Sequence, residues 1–357
     1  MVDFSEVIME KLVVHKVGNR AKDEGYIVSS DLANISDEEL DKHLRKFFLS
    51  AFNTDNPYRF SHDADLNLNE VYAYVKKVFA EPLSFQEQSV NILKHLYHRS
   101  THPNIKSGEF YMVYFSNCMI EDRSYDAIGL FKSERKDNFL KVRSANQRIL
   151  VEHEEGINIK KLDKGCVILN TLAEQGYRVY VVDTTNKAQE TAIYWTEEFL
   201  KVKEYQDQHF YTKSYIDMCT EFCHQAAEEE KAYTDKKEQA LFLNDTINYF
   251  AKNHEFSIDE FKKEVLKDDP ELIEEFNTYK MTYEVVNEME NTDFFEISPT
   301  AVKKAKRQIK NLIKLDTDIE IKIKNQVSSE TGEEYIERGF DEEKRMHYYK
   351  VYFNSEE

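Results

Sequence analysis

The sequence predicts an α+β fold: an N-terminal, mainly antiparallel sheet with helices, followed by a mainly helical half that ends in a short β element. Three observations carry this expectation. From Gly108 to Asp183 the chain alternates β-branched and aromatic runs with polar turns. From about Ala192 apolar residues recur instead at three- and four-residue spacing. No glycine-rich turn joins a strand to a following helix, which argues against a doubly wound nucleotide-binding sheet.

Taken in order, Val7 to Val17 mixes apolar and polar residues and reads as a strand, with the run from Gly25 to Ser29 as its return. Ser36-Asp37-Glu38-Glu39 is a helix start, a capping side chain followed by acids that favour the positive end of the helix dipole. Leu40, Leu44, Phe47, Phe48 and Ala51 continue it with one buried face. Two further helices are expected over 69–80 and 85–98, before Pro103 ends the pattern. GEFYMVYFSNCMI, YDAIGLFKS, CVILNTL and YRVYVVDTT then read as four strands. Helices are expected over 211–232, 236–252, 257–266 and 270–287, the last with Pro at its first turn. Ser298-Pro299 opens a basic helix running to Leu315. Strand-like pieces at 319–324 and 347–353 flank an acidic, glycine-containing turn region. The change of texture puts a boundary near residue 188, between an α+β domain over 1–188 and a mainly helical domain with C-terminal strands over 189–357.

Composition narrows the function classes. With 67 acidic against 48 basic residues the formal net charge is −19, which favours solubility and disfavours uniform attraction to phosphate. DNA binding therefore requires a local basic surface acting within a Debye length of about 8–10 Å. The opening MVDFSEVIMEKLVVHK carries early acids and no uninterrupted apolar run, unlike a secretory signal. No stretch approaches the roughly 20 apolar residues of a membrane span. Four scattered cysteines do not make a disulfide framework. A reducing cytoplasm is the expected location.

The order of several segments resembles the bacterial nucleoid-associated protein family of the NdpA kind. They are EVIMEKLVVHKV, the FYMVYFSNCMI and SYDAIGLFKS pair, the CVILNTL and GYRVYVVD pair, the helical EFLKVKEYQDQHFYTKSYIDMCTEF and the late IEIKIK strand. The resemblance spans essentially the whole chain and rests on pattern and order. It implies a cytoplasmic, nucleoid location and DNA-related work without enzymatic chemistry. It supplies no catalytic residue, no cofactor and no DNA-contacting motif.

Read from the residues, the leading DNA-binding candidate is TAVKKAKRQIKNLIK, with Lys303, Lys304, Lys306, Arg307, Lys310 and Lys314 and not one acid. Val302, Ala305, Ile309 and Leu312 can dock such a helix while Lys303, Arg307, Lys310 and Lys314 form an outward stripe along a phosphate backbone. A solvated helix that balances neighbouring acids explains the same run. No zinc-finger spacing and no helix-turn-helix with a basic recognition helix is present, so backbone contact without base readout is expected.

Other groupings point to weaker readings. His95, His98 and His102 could share a helix face around a metal, but ordinary surface or capping histidines fit as well. Cys219 and Cys223, with His224, could supply half a zinc site if Cys118 and Cys166 converged on it; buried apolar cysteine is the plainer account. Asp126 with Glu134-Arg135-Lys136 has the loose outline of a metal-dependent nuclease site. Acidic runs at 228–230 and 341–343 are solvated faces or docking surfaces for a basic partner. Three functions are thus carried forward: a DNA-binding nucleoid protein, an acidic adaptor that reaches the nucleoid through another protein, and a metal-dependent nuclease. No cofactor and no metal is expected. The 22 Tyr and 23 Phe suit adhesive patches, including a homo-oligomer contact, as well as they suit a core.

Overall fold

The computed structural model describes residues 2–52, 56–120, 122–145, 148–185, 194–229, 231–289, 292–309, 311–324, 328 and 335–355. It divides into two compact units, Met1–Tyr205 and Gln206–Glu357.

The first unit is built on a nine-stranded antiparallel sheet. Its members are β1 (Val2–Asp3), β2 (Ile8–Val17), β3 (Tyr26–Ile27), β4 (Tyr58–Phe60), β5 (Gly108–Ile120) and β6 (Arg123–Ser133). A separate hairpin, β7 (Asp137–Ala145) and β8 (Arg148–Gly156), precedes the last three, β9 (Lys164–Leu169), β10 (Arg178–Asp183) and β11 (Val202–Glu204). The order across the sheet is β11-β4-β10-β9-β6-β5-β2-β3, with β1 added to β5.

Period-2 alternation explains why the central strands read as almost unbroken apolar runs: both faces are covered. Phe110, Met112 and Tyr114 of β5 enter one core, and Tyr111, Val113 and Phe115 enter the other. Helices α2 (Glu70–Ala80) and α3 (Phe85–Arg99) and a π-helical turn, Tyr194–Leu200, close the first face, where Trp195, Phe199 and Leu200 are fully buried. Helix α1 (Glu38–Leu49) closes the second, stacking Phe48 on Phe131 with ring centroids 4.4 Å apart. Asp37 caps α1 by accepting from the Leu40 N–H at 2.7 Å.

Capping also ties α2 to the π-helical turn. The buried Asn69 accepts from the Tyr72 N–H and donates to the carbonyls of Ser61, Leu200 and Lys201. Next to it, burial raises the Glu70 pKa, but hydrogen bonding to Lys201 at 3.0 Å and the neighbouring cations outweigh it and hold the carboxyl near 2. The residues after 188, read from sequence as the start of the helical half, thus put Tyr194, Trp195, Phe199, Leu200 and Val202 into the core of the first unit.

The second unit is helical: α4 (Gln208–Glu228), α5 (Lys236–Lys252), α6 (Ile258–Glu264), α7 (Pro270–Val286) and α8 (Pro299–Gln308). A strand pair, β12 (Glu255–Ser257) and β13 (Phe294–Glu296), brings Phe256 onto Phe295 with centroids 4.7 Å apart. Around them Tyr215, Phe222, Phe250, Phe261 and Phe276 make an aromatic core. Asp207, Asp235 and Asp269 cap α4, α5 and α7. The unit ends in two hairpins, β14 (Leu312–Lys314) with β15 (Glu320–Lys322), and β16 (Ile336–Asp341) with β17 (Met346–Val351). Ile313, Ile323 and Ile336 anchor them on Ala240 and Leu241 of α5.

The expected α+β architecture is the observed one. Several strands were not anticipated: the short β1, β4, β11, β12, β13 and β14, of two or three residues each, the β7–β8 hairpin, and the glycine-containing strand β16 inside what reads as a turn region. Short strands carry too little alternation to announce themselves. Gly339 of β16 sits against the Tyr348 ring, where a Cβ would approach within 2.4 Å.

Candidate nucleic-acid interface

Helix α8 is amphipathic in the sense the sequence suggested. Ser298 caps it, with Pro299 at the first turn, and the Ser298 N–H donates to Thr212 Oγ1 of α4 at 2.9 Å. Ala301 and Val302 are buried, and Ala305 and Ile309 pack on the aromatic core. At 100° per residue these positions share one side, against α4 and α5. Lys303, Lys304, Lys306 and Arg307 are exposed on the other. Among the described residues Lys303, Lys304 and Arg307 hold no ion pair. Four exposed cations without an interspersed acid thus occupy two turns of one helix.

The helix is shorter than expected. It ends at Gln308, and Ile309 turns to an extended conformation (φ −71°, ψ 108°). The reason is tertiary: Leu312–Lys314 pairs with Glu320–Lys322, and Ile313 is buried. Asn311, also buried, donates to Asn244 of α5, whose own amide donates to the Lys324 carbonyl. The predicted stripe of Lys303, Arg307, Lys310 and Lys314 is therefore not a single helix face. Lys314 lies on a strand, 3.4 Å from the Glu320 carboxylate, and Lys310 lies outside the described residues.

The family model described as nucleoid-associated protein YejK matches residues 13–344. The chain belongs to that family. The comparison with curated proteins returns no match. The matched span begins within β2 and ends in the turn before β17, so membership covers both the sheet and helix α8. It makes the chain a nucleoid-associated protein and leaves the mode of DNA contact open. No described helix is long and apolar enough to cross a membrane.

The structure separates the residues of the nuclease outline. Asp126 lies on β6 and Glu134 just past its end, roughly 26 Å apart at about 3.3 Å per residue. Asp126 accepts from the Tyr114 hydroxyl at 2.7 Å, Glu134 from Lys132 at 2.7 Å, and Lys136 pairs with Glu109 at 2.9 Å. The three groups do not share a site. The histidines are likewise engaged separately: His95 Nε2 with the Phe199 carbonyl at 3.1 Å, and His102 Nδ1 with the Asn104 N–H at 3.2 Å, while His98 is exposed.

All four cysteines are buried. Cys118 and Cys166 lie in the two cores on opposite faces of the sheet, and Cys219 and Cys223 lie in the helical core. Burial pushes the Cys118 and Cys223 thiols up to about 12, which disfavours the thiolate a metal needs. Among the described residues no group of three His, Cys, Asp or Glu side chains is placed to hold a metal.

Sequence reading missed a buried charge network at the end of the sheet. Lys132 of β6 and Lys164 of β9 are direct register partners, 0% and 2% exposed, with the Tyr194 ring 5.6 and 5.3 Å from their ammonium groups. Glu134 binds Lys132, Asp183 binds Lys164 at 2.7 Å, and Asp163 binds Arg135. Three cations thus face three carboxylates. Desolvation pulls the Lys132 pKa down against the opposing pull of Glu134. The signal was present, since Ile128, Leu130 and Lys132 alternate on one face and only the first two are apolar. On β2, the buried His15 accepts from the Ser29 N–H through Nδ1, so its Nε2 carries the proton donated to Ser89 Oγ; burial lowers its pKa to about 4.

Proposed function

We propose that this nucleoid-associated protein contacts DNA directly, through phosphates, using Lys303, Lys304, Lys306 and Arg307 of α8. The observation that carries the reading is the docked, acid-free helix that presents four exposed cations in a chain of net charge −19. The cations lie within about 10 Å of one another along the axis, so a bound backbone feels them together within one Debye length. Lys314 of β14 extends the proposal, and Lys310, outside the described residues, belongs to it on sequence alone. Ammonium and guanidinium groups without a helix end or strand aimed at base edges read phosphate and not sequence.

The test is a salt titration on two unrelated mixed-sequence duplexes. Four phosphate contacts give a slope of log K against log salt of about −3.6, and it should be the same on both. A strong preference for one sequence, or a slope near zero, would overturn the reading.

A second reading has its own observation. Between α4 and α7 lies a groove of about 580 Å³ lined by Gln225, Glu229, Glu271, Glu274 and Glu275, with Lys231 paired to Glu229 at 2.7 Å. Its excess of carboxylates suits a basic segment of a partner protein, as an adaptor would require. A chain that fails to bind duplex at low salt would leave this reading in place.

A further inference from the structure

We propose that Arg59 and Arg178 form a phosphate-binding site on the first unit, on the α1 side of its sheet. The inference does not rest on the α8 reading, since both residues precede the helical unit.

Strand register brings the two together. Val179 of β10 lies opposite Tyr58 of β4, and Val202 of β11 lies opposite Phe60. Val179, Phe60 and Val202 enter the core under α2 and α3, so by alternation Arg178, Arg59 and Lys203 project from the other face. Tyr180, the next residue of β10 on that face, belongs to the second core. Arg59 and Lys203 are direct register partners, and Arg178 falls beside Arg59 on the neighbouring strand. The Tyr205 N–H donates to the Pro57 carbonyl, which carries the row two residues further. Across β4, the Arg178 guanidinium reaches to 5.9 Å from the Tyr205 ring centroid. That ring is held in place by its hydroxyl, which donates to Gln175 Oε1 at 2.6 Å.

Three cations thus stand in a row across three strands, where like charges repel. Both arginines are half-buried, and the Nε of each is buried without a hydrogen-bond partner. Among the described residues neither guanidinium is in an ion pair. The acids of these strands and of the turn before β10 are directed elsewhere. Glu204 is the register partner of Tyr58 on the opposite face, Glu174 lies 3.5 Å from Lys76, and Asp183 binds Lys164. A buried donor without an acceptor is rare and costly. Two of them side by side, both on cations, call for an anionic acceptor.

The donors also say which anion. Nε–H and one terminal N–H form the edge with which arginine grips two oxygens at once. A carboxylate fills one such edge, whereas a tetrahedral phosphate offers oxygens to both. This chemistry is shared by a phosphodiester of a DNA backbone and by the terminal phosphate of a small molecule.

The test is heteronuclear NMR of the arginine Nε–H groups in the full chain, with the two signals assigned by their loss in Arg59→Lys and Arg178→Lys. Inorganic phosphate and a mixed-sequence duplex are titrated separately, against sodium chloride at equal ionic strength. Both signals should shift and saturate with at least one of the two. Saturation with inorganic phosphate assigns the site to a small phosphate. Saturation with duplex alone assigns it to a DNA backbone, which steepens the salt slope by about 0.9 for each phosphate held. Each lysine variant should weaken binding at least tenfold, read on the arginine that remains, because an ammonium keeps the charge and loses the fork. Arginine signals elsewhere that keep their positions show that the variants are folded. Signals that neither titrant moves, equal shifts with sodium chloride, shifts with polyglutamate alone, or lysine variants that bind like wild type would each overturn the proposal.

Discussion

Replacing Lys303, Lys304 and Arg307 together by glutamate is expected to lower affinity for duplex DNA by roughly two to three orders of magnitude at 0.1 M salt. Each phosphate neutralised releases close to 0.9 of a counterion, so three lost contacts remove about 2.7 from the magnitude of the salt slope. At 0.1 M the same counterion term is worth about 0.9 of a decade per contact, and the introduced carboxylates add repulsion. The three side chains are exposed and lie opposite Val302 and Ala305, so the helix keeps its docking surface. Melting temperature should accordingly stay near the wild-type value, because surface changes away from packing or caps cost within about 0.5 kcal/mol. Unchanged affinity with intact folding would move DNA contact away from α8.

Glu134→Ala is expected to be the most damaging single change to the first unit. Lys132 is 0% exposed, and its charge is balanced by the Glu134 carboxylate at 2.7 Å, itself 6% exposed. Removing the acid leaves a buried ammonium with the Lys106 carbonyl and the Tyr194 hydroxyl as partners. Breaking one half of a buried pair costs about 3–5 kcal/mol, whereas replacing both halves by apolar groups of similar volume is close to neutral. In a unit of this size that loss corresponds to a fall of about 10 °C in melting temperature. The double variant Lys132→Met with Glu134→Leu should recover most of it. Equal losses in the single and double variants would mean that packing, and not charge balance, sets the cost. The same network bears on chemistry, since a carboxylate committed to a buried lysine is not available to a metal.

What the sequence makes legible follows the range of the interactions involved. Helix α5 is predicted at its observed bounds because Asp235, the apolar spacing and Asn253 are local signals. The two-faced burial of β5 shows as GEFYMVYF, where every position is apolar or aromatic after the first two. The end of α8 is illegible for the opposite reason. Ile309, Leu312 and the cations continue a helical period, and the competing arrangement depends on Ile313 meeting Ala240 and Leu241, over seventy positions away. Lys132 stands out as the charged member of an otherwise apolar alternation, but its partners do not show, because it finds Lys164 and Tyr194 only when β9 and the π-helical turn are in place. For the candidate site, residue types were legible and geometry was not: the four helical cations stand where expected, while Lys314 left the stripe for a strand.

The most direct test of the account is lysine acetylation of the chain, free and saturated with a mixed-sequence duplex, read by mass spectrometry. Direct phosphate contact through α8 predicts that DNA protects Lys303, Lys304 and Lys306, while exposed lysines of the first unit such as Lys141 react as before. Protection elsewhere with these three fully reactive, in a sample shown to bind, would contradict it.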